Sequence, residues 1–141
     1  MNYIITPISF ILIIISLSLL SCTKDKGPIE PDVNVTTVSF INDIQPIFNA
    51  DCIACHNTAN NQFYGYLDLS EGNSYNDLIS VVSNGYAPEK RVVINDSDAS
   101  VLWQKVNNSL LYGSNMPLGG SLSNTDIEKI RVWIDEGAQN N

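Results

Sequence analysis

The segment DCIACHN, residues 51–57, gathers two of the chain's three cysteines and its single histidine. Three kinds of chemistry use Cys52, Cys55 and His56 at this spacing. A Cys-x-x-Cys pair cycles between dithiol and disulfide in thioredoxin-like proteins, where it sits at a helix N-terminus within a βαβ unit and the helix dipole lowers a thiol pKa. Here the pair follows a stretch with helical spacing, and no βαβ pattern is visible. A structural zinc site takes four ligands, ordinarily Cys or His. Cys52, Cys55 and His56 make three, an Asp would have to complete the set, and adjacent Cys55 and His56 suit a tetrahedral site poorly.

The third chemistry is covalent haem attachment, for which Cys-x-x-Cys-His is the c-type pattern. Each thiol adds to one porphyrin vinyl group, two intervening residues match the separation of the vinyls, and the histidine after the second cysteine becomes the proximal iron ligand. This reading accounts for the position of the only histidine. It also supplies an apolar body around which a loop-rich domain can pack. The sixth iron position calls for a ligand downstream, and Met116 is the one methionine besides Met1. A lone methionine is commonly core filler, but fillers lie on apolar helical faces, whereas Met116 lies in SNMPLGG, a glycine-rich loop. Pro117 restricts Met116 to extended backbone and stiffens that loop.

At the N-terminus, IITPISFILIIISLSLLSC runs from Ile4 to Cys22 without a charged residue. It has the length of a short membrane helix or of a signal-peptide apolar region. The ending LLSC resembles a bacterial lipoprotein signal, in which small and aliphatic residues precede a lipidated cysteine; the n-region MNY departs from that pattern in lacking Lys or Arg. The alternative is an uncleaved anchor. Either way the domain is expected outside the cytoplasm, tethered to a bacterial membrane and facing the periplasm or the cell exterior. This assigns Cys22 to lipidation, residues 1–21 to a signal peptide and 22–37 to an anchor and polar tether containing Pro28 and Pro31. The pair Cys52 and Cys55 remains in an oxidising compartment.

Residues 38–141 form the expected globular domain. SFINDIQPIFNADC puts Phe40, Ile41, Ile44, Ile47 and Phe48 at helical spacing, with Ser39 as N-cap and Pro46 as a source of a kink or a late start. Residues 57–74 read as loop, YNDLISVV as a short helix, and RVVI as extended. SDASVLWQKVNN reads as a helix capped by Asp96 or Ser97. SNTDIEKIRVWIDEG is the clearest helix, with Ser123 and Asp126 resembling a capping box, Ile127, Ile130, Trp133 and Ile134 on one face, and Gly137 as the stop. The formal net charge of −8 and pI near 4.3, with scattered basic residues, exclude nucleic acid as the expected partner.

These residues resemble the c-type cytochrome family, and more narrowly the small cytochrome c-like domains carried by bacterial lipoproteins of the Bacteroidetes type. CIACH carries the attachment motif and NMPLGG is similar to the methionine loop. INDIQPIFNADCIACHN, LDLS, RVVINDSDASVLWQKV and MPLGGSLSNTDIEKIRVWIDEGA extend the likeness over roughly residues 38–138. The resemblance implies an all-α, cytochrome c-like fold of short helices and long loops wrapped around one covalently attached haem c. Its first and last helices would cross beside the haem, with Phe48 and Trp133 the candidates for the crossing. It implies Cys52 and Cys55 as thioether residues and His56 and Met116 as axial iron ligands. No proline follows CHN to receive the His56 ring N–H, so that acceptor is unassigned. Arg91, Tyr112 and Trp103 are conceivable propionate partners, each with an ordinary surface or core role as well.

The function expected is that of a membrane-tethered mono-haem electron carrier, not an enzyme. Single electrons pass by Fe(III)/Fe(II) cycling to redox proteins with basic docking surfaces. Two alternatives stand beside it. One is a haem enzyme or gas sensor with labile Met116 ligation, although no distal His or Arg is evident. The other is a haem-free structural lipoprotein with a Cys52–Cys55 disulfide, whose short loop would constrain little chain entropy.

Overall fold

Pro46 decides how the first helix forms. A computed structural model describes residues 37–141 of the chain; the expected signal segment, the lipidation cysteine Cys22 and the tether up to residue 36 lie outside the described residues. Ser39, in extended backbone, caps the helix by accepting the Asn42 amide N–H at 3.1 Å. Pro46 has no N–H to donate one turn back. The chain accordingly runs first as a π-helical turn, Phe40–Ile44, and tightens into α1, Gln45–Asp51, with Pro46 in its first turn.

Three further helices follow: α2 (Ser74–Leu78), α3 (Val101–Val106) and α4 (Asn124–Asp135). The stretches between them are turns, a 3₁₀ turn at Asn61–Phe63, and isolated β-bridges that pair Ile79 with Val92, Val82 with Lys90 and Val93 with Asp96. Among the described residues there is no strand. The regular structure is helical, with short helices joined by long loops, which is compatible with the all-α expectation. Among these residues, no helix is long and apolar enough to cross a membrane.

Two helices are shorter than their patterns predict. YNDLISVV stops being helical at Leu78, because Ile79 turns to extended backbone and joins the bridge to Val92. The α3 helix starts after Ser100, not at Asp96 or Ser97. The Asp96 carboxylate accepts the Ala99 amide N–H at 2.9 Å in a turn of its own. The buried Ser100 hydroxyl accepts the Val93 N–H at 2.8 Å and donates to the Asp96 carbonyl at 2.7 Å. The last helix forms as its sequence predicts. Ser123 accepts the Asp126 amide N–H at 3.1 Å and donates its hydroxyl to the Asp126 carboxylate at 2.6 Å, and Gly137 ends the helix at φ +104°.

Aromatic core side chains gather where the start of the domain meets its last helix. The Phe40 ring lies 5.2 Å from Trp133 and 6.3 Å from Phe48. Phe48 and Trp133 are both buried, as expected of the crossing residues, but it is the π-helical turn that carries the contact with α4. Ile44, Ile130 and Ile134 fill the same layer. Burial of each such side chain stabilises the fold by roughly 1.5–3 kcal/mol. The final residues lock this layer: Asn141 accepts the Ser39 hydroxyl at 2.7 Å and the Ile41 amide at 2.9 Å through its backbone carbonyl.

Candidate functional site

Where α1 ends, the chain winds through consecutive turns that display the cysteine–histidine segment. Cys52 caps α1, and its carbonyl accepts the amide N–H groups of Cys55 at 3.1 Å and His56 at 2.9 Å. Asn57 extends the winding: its side-chain amide donates to the Ile53 carbonyl at 2.7 Å, and its oxygen accepts the Ala59 amide at 3.0 Å. The Leu69 amide donates to the His56 carbonyl at 2.9 Å and closes the following loop. Both thiols of the segment are free.

This winding sets Cys52 and His56, both half-buried, on the wall of a cavity of about 370 Å³. That size falls in the range of roughly 300–1,000 Å³ usual for small-molecule and cofactor sites. Leu67, Leu69 and Leu78 supply apolar wall, and Val101, Leu102 and Val106 of α3 continue it. Met116 lines the same cavity from the loop before α4. Cys55 is exposed on the outer edge of its turn and is not part of the wall. Phe63 and Tyr64 line the cavity while remaining exposed, so they sit at its mouth.

The electrostatics separate the chemistries open to these groups. Burial, added to by the charge of Asp51, pushes the Cys52 thiol up to about 12. Cys52 also stands at the C-terminal, electronegative end of α1, the opposite of the placement that activates a redox thiol. A protonated thiol at neutral pH is a poor attacker of disulfides. Burial lowers the His56 imidazole below its ordinary value; the Leu67 carbonyl opposes this and the Arg91 charge adds to it. The ring is therefore neutral at pH 7, the form that ligates metals. The His56 Nδ1 and the Asn115 Oδ1, next to Met116, are buried without a hydrogen-bond partner. Among the described residues no three His, Cys, Asp or Glu side chains come together as a metal-ion cluster.

Arg91 is the residue whose role the sequence understated. It is buried and lines the cavity. One guanidinium nitrogen donates to the Asp77 carbonyl at 2.8 Å, and the other donates to the carbonyls of Gly65 at 2.8 Å and Tyr66 at 3.0 Å. The Asp77 carboxylate lies 3.7 Å away. Gly65 and Tyr66 both take left-handed backbone, φ +73° and +55°, which for tyrosine costs of order 1–3 kcal/mol. Charge-assisted bonds from Arg91 offset that cost and hold the loop after His56 against α2. The available signal was a cation at the head of the apolar run RVVI. Tyr112 and Trp103, the other conceivable propionate partners, do not line the cavity.

Asp68 fastens the same loop at its other end. Burial acts to raise its carboxyl, but hydrogen bonds from Thr58, Ser70 and Asn73 outweigh this and bring it down to about 2. Its partners include the Thr58 hydroxyl at 2.6 Å and the Asn73 amide at 2.9 Å. The groups offered to the cavity are thus one neutral imidazole, one thioether and one protonated thiol, in a largely apolar surround whose polar members include Arg91, Lys105, Ser83 and Tyr86. No protein-family model, curated protein or solved structure matches the chain.

Proposed function

We propose that the chain is a membrane-tethered, mono-haem c-type cytochrome that carries single electrons. The observation that carries this reading is that His56 and Met116, widely separated in sequence, line one cavity together with Cys52. An imidazole and a thioether facing one apolar cavity are the donor set of a His/Met haem, and the attachment motif stands beside them. The neutral His56 ring and its unpartnered buried nitrogen fit a ligand role. Cys52 in the wall and Cys55 on the adjoining outer edge fit a group that spans the cavity and reaches its rim.

When bound, haem c supplies one-electron Fe(III)/Fe(II) cycling. Cys52 and Cys55 would hold the porphyrin by thioether bonds, and His56 and Met116 would hold the iron. The apolar part of the wall would keep water from the bound group, and Phe63 and Tyr64 at the mouth offer a largely apolar rim toward partners. The net charge of −8 favours redox proteins with basic docking surfaces and salt-sensitive association. Lipidation at Cys22 would keep the domain at a bacterial membrane, facing the periplasm or the cell exterior.

Optical spectra of the full-length chain, produced with a haem-c maturation system, test this reading. The expected result is haem that stays attached after denaturation, a sharp low-spin α band on reduction, and a weak long-wavelength thioether band in the oxidised protein. Absence of attached haem overturns the proposal. High-spin haem would remove Met116 from the iron and turn the reading toward a haem enzyme or sensor.

A further inference from the structure

A thioether is a weak iron ligand, so a methionine in a loop must be held in place by the protein around it. Residues 107–122 contain no regular structure. Most hydrogen bonds inside this loop are local, such as Gly113 to Leu110 and Gly120 to Pro117. Between Leu110 and Pro117, the hydrogen bonds that reach the rest of the described fold go to Lys105 and Tyr86.

Lys105, on α3, grips the loop twice. Its backbone carbonyl accepts the Met116 amide N–H at 2.7 Å. Its ammonium donates to the Tyr112 carbonyl at 3.1 Å and to the Ser114 carbonyl. The Tyr86 hydroxyl donates to the same Tyr112 carbonyl at 2.8 Å, and the Lys105 ammonium lies 5.6 Å from the centre of the Tyr86 ring. The Tyr86 and Tyr112 rings are 4.9 Å apart. Bonds from a charged donor are about twice as strong as neutral ones, and here the donor stands on a helix whose Val101, Leu102 and Val106 are anchored in the core.

We propose that Lys105 is the positioning residue of the Met116 loop, keeping the thioether at the cavity by clamping the carbonyls of Tyr112 and Ser114 to α3, with Tyr86 as its auxiliary. The effect on the iron rests on the reading of Met116 as an axial ligand; the effect on the loop does not.

The test uses the full-length holoprotein and three variants. Lys105→Leu is expected to leave covalent haem content at the parent level, to cut the long-wavelength thioether band at least about twofold, and to speed amide exchange at Met116 about tenfold or more. Lys105→Arg, which keeps a charged multi-donor head, is expected to recover most of both losses. Tyr86→Phe removes one hydroxyl from the same carbonyl and is expected to speed Met116 exchange about two- to fivefold; it decides the matter if Lys105→Leu does not fold. Unchanged band and unchanged Met116 exchange in Lys105→Leu, no recovery with Lys105→Arg, or an inert Tyr86→Phe where it alone can be measured, each overturns the proposal. Should the parent itself lack the thioether band, the ligand reading of Met116 falls, while Met116 exchange still decides whether Lys105 holds the loop.

Discussion

The two sides of this domain solve the problem of filling space differently. Where the π-helical turn meets α4, aromatic and aliphatic side chains fill it themselves: Phe40, Phe48, Ile130, Trp133 and Ile134 are all buried and in mutual reach. Around the cavity, the wall is made of short segments held by polar ties. Arg91 fastens Gly65 and Tyr66, Asp68 fastens Thr58 and Asn73, and Lys105 fastens Tyr112 and Ser114. Leu69 and Leu78 belong to both sides, buried in the core layer and lining the cavity. A packed layer is stabilised by area removed from water and is insensitive to charge. A wall of loops depends on directed bonds, which place donor groups accurately but fail individually when one partner is lost.

The sharpest way to break this contrast is on the packed side. Trp133→Ala is expected to cost about 3–5 kcal/mol, the usual range for an aromatic deleted from a core, and to lower the denaturant midpoint of the whole domain. An unfolding curve that shifts by less than about 1 kcal/mol would show that the cavity side folds on its own terms. On the cavity side, Arg91→Leu is expected to cost about 2–3 kcal/mol, because three carbonyls lose their donor and Tyr66 keeps its strained backbone. Amide exchange should rise across residues 57–68 while that in α4 changes far less. Equal loss of protection in both regions would merge the two sides into a single cooperative unit.

The smallest effect concerns acid. Asp68 is held at about 2 in the fold, below an ordinary value of 3.8. Its contribution is fully present above the unfolded value and is lost as pH falls through the folded one, so stability should decline between about pH 4 and pH 2. Asp68→Asn is expected to remove that part of the slope and to leave the neutral-pH side of the profile unsloped. An acid titration whose slope is the same with and without Asp68 would assign the acid sensitivity to other carboxylates.

Much of the fold was legible because its signals are local. Ser39, Ser123 and Gly137 stand where their caps and stop were expected, since capping depends on residues within one turn of each other. The start of α3 and the end of α2 were misplaced because the deciding partners are elsewhere: Ser100 turns to Val93, and Ile79 pairs with Val92. The same division holds at the site. The Cys52–Cys55–His56 spacing marked the segment as a candidate site, and Met116 stood out by its loop. Arg91 carries no mark in the sequence beyond its charge, and Lys105 is hidden inside a helical pattern.

By itself, the sequence determined the spacing of the two thiols and the imidazole, the long capped helix at the end, and an acidic chain with few basic residues. Those properties follow from neighbouring residues and from composition. Only the tertiary structure decided that Met116 shares a cavity with His56, that Cys55 stays outside its wall, and which carbonyls Arg91 and Lys105 hold. Those outcomes depend on backbone groups brought together from distant parts of the chain, and a carbonyl acceptor leaves no mark on residue type.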